Sequence, residues 1–470
     1  MKSPPLILKD MEIPQELLRE VPARIALHYS VLVLENRAGQ LKIAVPEDLT
    51  RQAREELRVV LNRELEFVTA LRHEIREAID RHYGVGAGTV AALTQDQPGG
   101  AEVRDGEQID GGDAESATVS KLVNELLMDA MKHRASDIHI EPFEKKFRIR
   151  YRVDGILREA RVPDQIRLLA PGLISRIKIM AELDIGEKRL PQDGRIKIRR
   201  GEEELDLRIS VLPSSYGEAI VIRILKPLQL LALEDLGFEE KAVGALRSYF
   251  RLPHGMILVT GPTGSGKTTT LYACLKELNS MERKIITIED PIEYKLPGII
   301  QMQVHPKIGF TFAAALRSML RHDPDSLMVG EIRDTETAEM AVRSSLTGHL
   351  VLSTLHTNDA PSAVSRLLEM GVEAHLVASS LTAVVAQRLV RRACPPCERC
   401  EGSGYFGRTV LYEIMPVSEA VRQAIAEKRP ASFLRRLAME EGMTGLREHG
   451  QSRASSGVTT PEEVLRAVSV

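Results

Sequence analysis

The chain has 470 residues, of which 43% are apolar and 27% charged, with a net charge of −3 at neutral pH. That length exceeds what one hydrophobic core serves and predicts roughly three domains. The near-balanced charge gives no general electrostatic reason to bind nucleic acid or an anionic membrane.

No charged-then-apolar leader and no long apolar run occurs, against the roughly 18 residues a spanning helix needs. The sequence therefore predicts a protein that stays in the cytoplasm and meets a membrane only through a partner or a surface face. Its cysteines, Cys274, Cys394, Cys397 and Cys400, are too few and too clustered for a disulfide framework, in keeping with a reducing compartment.

Residues 1–83 read as a small α/β module. Proline opens each of two short helices, at Pro14 and Pro22, where its missing N–H costs nothing. Strands follow at Val31 to Leu34 and Leu41 to Val45, then a helix from about Leu49 to Arg63, a strand near Leu65 to Thr69 and a helix from Arg72 to His82. Residues 84–118, rich in Gly, Asp and Glu, bury too little apolar surface to offset their ordering entropy and read as a flexible linker.

Residues 119–228 open with an amphipathic helix, Val119 to His133, carrying Leu122, Val123, Leu126, Leu127 and Ala130 on one face. Strand-like stretches come next, at Asp137 to Ile140, Phe147 to Val153, Arg195 to Ile198, Leu205 to Val211 and Ala219 to Leu225. The tripeptides Val153-Asp154-Gly155 and Gln192-Asp193-Gly194 read as turns between them. Residues 229–470 alternate strands with helices, the pattern of a parallel sheet.

Between the strand-like Met256 to Thr260 and a helical segment stand Gly261, Pro262, Thr263, Gly264, Ser265, Gly266, Lys267 and Thr268, followed by Thr269. They fill every slot of G-x-x-x-x-G-K-[ST]. Glycines let backbone N–H groups curl inward around phosphates, and the following helix turns the positive end of its dipole on the same anion. Lys267 would reach the terminal phosphates of ATP and the Thr268 hydroxyl would ligate Mg²⁺.

A phosphate-loop enzyme also needs carboxylates to place or deprotonate water. The strand Lys284 to Ile288 ends in Glu289-Asp290-Pro291-Ile292-Glu293, and a second strand beginning at Asp325 ends at Glu331, in the position of a Mg²⁺-side acid. His349 and His356 flank a third apolar strand and read as sensors of the γ-phosphate. Arg317 and Arg321, four apart on a helical face, are further cations for the site, while Arg388, Arg391 and Arg392 read as a solvated face.

These segments resemble the secretion ATPases of the type II secretion and type IV pilus systems. The similarity includes Ala135-Ser136-Asp137-Ile138-His139-Ile140-Glu141-Pro142, Arg189 to Arg195 and Asp206 to Ser210, and it spans roughly residues 119–470 and, more weakly, residues 13–83. It implies a multidomain α/β protein with a RecA-like P-loop NTPase core, a PAS-like α/β middle domain and a small α/β N-terminal domain that docks to a partner. By the resemblance Glu293 activates water, Glu331 is the Walker B acid, His349 and His356 form the histidine box, and Arg195 and Arg208 reach the nucleotide of another subunit in a homohexamer.

The resemblance further implies Mg-dependent ATP hydrolysis that drives pseudopilus assembly and export. The motor would work through the cytoplasmic domain of an inner-membrane platform protein, peripheral to the membrane and without nucleic acid. Type IV pilus extension is the alternative assignment. A nucleic-acid motor would need basic channel residues, and two acidic strand ends speak against a merely regulatory nucleotide-binding module.

Related type II proteins carry two C-x-x-C pairs split by a long insert, which together bind zinc. In this chain Cys394, Cys397 and Cys400 compress the pairs into residues 394–400, one ligand short of a closed set, so zinc stays open. Cys274 reads as a small buried apolar residue.

Overall fold

The structure is a computed structural model describing residues 6, 8, 11–37, 39–87, 89–90, 113–200, 203–225 and 231–468. It divides into two compact units, Met1–Pro227 and Leu228–Val470.

The first unit holds two sheets. In the smaller, β1 (Leu32–Arg37) runs antiparallel to β2 (Gln40–Pro46), which is parallel to β3 (Glu64–Ala70). In the larger, β4 (Asp137–Pro142), β5 (Phe147–Val153), β6 (Ile156–Glu159), β7 (Gln192–Arg200), β8 (Glu203–Ser214) and β9 (Gly217–Leu225) pair antiparallel in the order β6-β5-β4-β9-β8-β7. The period-2 pattern explains its two faces. Ile149, Tyr151 and Val153 of β5 are buried beneath Leu122, Leu126 and Ala130, while Arg148, Arg150 and Arg152 alternate outward.

Three sequence expectations shift in this unit. The amphipathic helix begins at Asp113 rather than Val119. Gln192, Asp193 and Gly194 are not a turn but the first residues of β7, facing Val211, Ser210 and Ile209. Gly194 serves a close approach, since a Cβ there would lie 2.6 Å from the Ala181 carbonyl oxygen and 2.9 Å from the Leu183 side chain. The start of the expected linker is packed: Val85 N–H donates to the Arg161 carbonyl at 2.9 Å, Thr89 donates to Glu125 at 2.9 Å, and Val90 joins the middle-module core. Of the rest of that linker, residues 91–112 lie outside the described residues and 113–118 belong to the helix.

The second unit is built on seven strands: β10 (Gly255–Thr260), β11 (Ile285–Glu289), β12 (Ile300–Gln303), β13 (Ser326–Val329), β14 (Leu350–Leu355), β15 (Leu381–Ala393) and β16 (Tyr405–Pro416). Their order is β12-β11-β13-β14-β10-β15-β16, parallel throughout except β16. Helices cover both faces, so β10, β13 and β14 are buried along their whole length, and this is why they read as unbroken apolar runs. One face packs on the helix Lys267–Leu278. The other packs on Phe312–Met319, Thr335–Leu346 and Ala360–Glu369. The departure from a wholly parallel sheet is the long β15/β16 hairpin, whose connection carries the cysteine motif.

Candidate active site

In a parallel sheet of this kind the crevice beyond the carboxyl ends of the strands receives ligands. The loop 261–266 leaves β10 at that edge. Gly261, Gly264 and Gly266 adopt φ of 150°, 79° and 90°, which side-chain-bearing residues rarely take up. A Cβ on Gly261 would lie 2.5 Å from Ser265 Oγ and 2.6 Å from the Gln387 carbonyl oxygen. Gly266 caps the helix Lys267–Leu278 in the left-handed region, placing Lys267, Thr268 and Thr269 in its first turn. The loop fits a phosphate chain: Ser265 Oγ is buried without a hydrogen-bond partner, and the helix dipole supplies positive potential.

Lys267 Nζ donates to the carbonyls of Gly261 at 2.9 Å and Pro262 at 3.1 Å. Burial lowers its pKa, with Arg388 adding to the effect and Glu331 opposing it. An ammonium held this way gains most from an incoming polyanion.

Beside the cradle, β13 ends at Val329 and the chain turns into Glu331. That turn is pinned, with Gly330 N–H donating to Ile288 at 2.8 Å and Thr354 Oγ1 donating to the Gly330 carbonyl at 2.7 Å. Glu331 pairs with His356 Nε2 at 3.1 Å and with Arg333, whose guanidinium also reaches Asp290 at 3.4 Å. Glu331 and the loop that carries Glu293 are thereby tied to one another through Arg333. Glu293, half-buried, donates its N–H to the hydroxyl of Tyr272 at 3.3 Å.

His349 does not join this group. It precedes β14, its carbonyl accepts from Gly255 at 3.2 Å at the start of β10, and its ring bonds to the Ser344 carbonyl at 3.0 Å. His356 follows the end of the same strand. At about 3.3 Å per residue the two histidines stand roughly 20 Å apart along β14, so only His356 lies at the phosphate edge. Arg317 pairs with Glu336, and Arg321 donates to the Arg317 carbonyl at 2.9 Å.

Two residues of β15 also reach this edge. Gln387 donates to the Ser265 carbonyl at 2.7 Å and accepts from Thr270 at 2.9 Å, holding the phosphate loop against β15. Arg388, read as solvated, is only 6% exposed. Its guanidinium donates to the Asn358 carbonyl at 2.9 Å, just beyond His356. The polar Gln-Arg pair between the apolar runs Ala383 to Ala386 and Leu389 to Val390 was the available signal.

In the first unit, Arg195, Arg208 and Arg223 occupy one cross-strand row: Arg195 faces Arg208 on β8, and Arg208 faces Arg223 on β9. Arg223 is anchored by Asp137 at 3.0 Å. Like charges set directly opposite one another destabilise a sheet, and Asp137 offsets the charge of Arg223 at one end of the row. Arg223 was not singled out from the sequence.

At the β15/β16 connection the sulfurs of Cys394 and Cys397 are 3.7 Å apart and those of Cys397 and Cys400 3.8 Å. Tetrahedral zinc with Zn–S bonds of about 2.3 Å gives S···S edges of about 3.8 Å, so three donors fit. Among the described residues no fourth ligand joins them. Burial and the neighbouring thiols push Cys394 up to about 11. Cys400 comes down to about 7, because N–H groups of Cys397 and Gly404 outweigh its burial. Cys274 is buried in the apolar core, as expected.

A family model described as Type II/IV secretion system protein matches residues 112–466, and one described as MshEN domain matches residues 2–89. The type IV pilus assembly ATPase PilB of Myxococcus xanthus is 43% identical over 502 residues, covering 98% of this chain and 88% of that protein. Type II secretion system protein E of Dickeya dadantii is 44% identical over 490 residues, covering 98% and 94%. The crystal structure of the pilus retraction motor PilT with bound ADP superposes with a TM-score of 0.52 at 27% identity, covering 73% of this chain and 95% of that one.

Proposed function

We propose, since this chain belongs to the type II/IV secretion system protein family, that it hydrolyses ATP to power pseudopilus assembly and protein export by a type II secretion system. It is an ATPase with a RecA-like core. The observation that carries the reading is the convergence on one sheet edge of the Lys267 cradle, the Glu331–His356 pair and the loop bearing Glu293.

In the proposed mechanism, the backbone of residues 261–266 and the Lys267 ammonium hold the β- and γ-phosphates. Thr268 and Glu331 are the residues that would hold Mg²⁺, which when bound offsets phosphate charge. Glu293 accepts a proton from the attacking water. His356 reports the γ-phosphate to Glu331 through their shared hydrogen bond. Arg195 and Arg208 complete the pocket of a neighbouring copy in a homohexamer, where guanidinium groups meet charge that grows on the γ-phosphoryl oxygens. The row they share with Arg223 supports that role.

Residues 1–83 dock to the cytoplasmic domain of an inner-membrane platform protein, which keeps the motor cytoplasmic and its membrane contact indirect; no helix of the described residues is long and apolar enough to cross a membrane. Cys394, Cys397 and Cys400 would hold zinc at the hairpin tip, a structural clamp supported by their spacing. Nucleic acid has no part in this reading.

Type IV pilus assembly is the second reading, favoured by the PilB relative. A pull-down against the cytoplasmic domains of a type II platform protein and of its pilus counterpart decides between them. Capture by the type II protein is expected; preferential capture by the pilus protein would overturn the first choice.

A further inference from the structure

The loop that carries Glu293 is held from both sides by groups with no role assigned above. Tyr272 lies on the helix Lys267–Leu278 and is 1% exposed. Its hydroxyl donates to Glu289 Oε2 and accepts the Glu293 N–H at 3.3 Å. Glu289, the buried last residue of β11, also accepts from Thr287 Oγ1 at 2.6 Å and from Gln301 Nε2 at 3.0 Å.

Gln301, on the edge strand β12, donates to the Tyr294 carbonyl at 2.9 Å and accepts from Leu296 N–H at 2.6 Å. One side of the loop is therefore fastened to the phosphate-binding helix and the other to β12.

A buried carboxylate is tolerated only when its lone pairs are satisfied, and three converging donors do that for Glu289. With its acceptor fixed, the phenol proton points one way, and its lone pair faces the Glu293 N–H. Burial, and then Glu289, raise the pKa of the phenol, so it remains protonated and the chain of bonds keeps its polarity at neutral pH.

We propose that Tyr272 is a positioning residue for hydrolysis: its hydroxyl fixes the Glu293 backbone relative to the phosphate cradle, because one helix carries the phenol, Lys267 and Thr268. This rests on the assignment of Glu293 as the water-activating acid. Displacements near 1 Å cost on the order of 10²-fold in rate when a reacting group is misaligned, and a rigid helix is a direct way to prevent them. The competing account is packing alone. Tyr272 sits in an apolar cluster and meets Tyr294 edge to face at 6.1 Å between ring centres. Packing would be preserved by phenylalanine.

The test uses the full-length protein as wild type, Tyr272→Phe, Gln301→Ala and Glu293→Gln, with kcat and KM from phosphate release, Kd from titration with a fluorescent ADP analogue, and folding followed by thermal melting. Tyr272→Phe should lower kcat about 10-fold or more while KM and Kd move less than about 2-fold, the signature of an interaction that acts on turnover rather than on binding. Gln301→Ala should show the same split, and it decides the matter if Tyr272→Phe fails to fold. A kcat within about 2-fold of wild type in the folded variant, or a kcat loss matched by an equal loss of affinity, overturns the proposal. Loss of turnover in Glu293→Gln beside an active Tyr272→Phe removes the positioning role alone, whereas wild-type turnover in Glu293→Gln removes both assignments.

Discussion

The amide of Gln387 bridges Ser265 and Thr270, donating to the carbonyl of one at 2.7 Å and accepting from the hydroxyl of the other at 2.9 Å. A strand far along the chain thus holds the phosphate loop and the start of its helix in one shape. Gln387→Leu keeps the volume but strands both partners in a buried setting, at about 1–3 kcal/mol. ATP affinity should fall about 5- to 100-fold, read by titration with a fluorescent nucleotide; unchanged affinity would remove Gln387 from the site.

Glu293→Gln should abolish turnover while sparing nucleotide binding. A positioned general base is worth about 10²–10⁴ in rate. Phosphate release should drop by that factor with Kd for ATP essentially unchanged, and sustained hydrolysis would refute the assignment.

Shared pockets have a distinctive consequence. Arg208→Ala and Glu293→Gln should each be inactive alone, yet mixed assemblies should regain hydrolysis, because an intact Glu293 on one copy meets an intact Arg208 on its neighbour. Mixed oligomers verified by native mass spectrometry that stay inactive at every ratio would show that Arg208 does not act between copies.

Glu463 ties the helix Pro461–Val468 to β15 by accepting from Arg391 at 2.6 Å and Arg466 at 2.7 Å. Burial would raise its carboxyl, but these two guanidinium groups bring it down to about 2 from an ordinary 4.5. A depressed carboxylate stabilises the fold fully above its unfolded value and loses that contribution as pH falls towards the folded one. Glu463→Gln should therefore cost about 2 kcal/mol at pH 7. The gap between variant and wild type should close between about pH 4.5 and pH 2. Thermal melts across that range would detect it; a gap independent of pH would contradict the ion-pair account.

Three thiols at tetrahedral spacing should retain zinc through purification. Metal analysis is expected to give about one zinc per chain, lost in Cys397→Ser, with a lower melting temperature and little change in ATP affinity. Zinc-free protein with an unaltered melting profile would leave the three cysteines as an unligated hairpin tip.

Much of the site could be read from the sequence because its parts are local. The phosphate loop is contiguous from Gly261 to Thr268, its helix begins at once, and Glu289, Glu293 and Glu331 each follow an apolar run that announces a buried strand. Phosphate binding depends on backbone geometry within a few residues, and that geometry is written in glycine spacing. Five of the six strands of the larger sheet were visible in the same way, through alternation along Phe147–Val153 and Leu205 to Val211, whereas the short edge strand β6 was not.

Tertiary structure decided what depends on which strand lies beside which. His349 and His356 look equivalent in a string of letters, yet a strand has two ends and only one faces the phosphates. Arg388 reads as solvated, and Gln387 gives no local sign of a role, until β15 pairs with β10 and carries them against the phosphate loop. Arg223 enters the arginine row only through the β8–β9 register, and Tyr272 meets Glu289 and Glu293 only because a helix face is pressed onto β11. Local motifs are legible because their atoms are neighbours along the chain; these contacts are not, because sheet order and register are set by how the whole hydrophobic core closes.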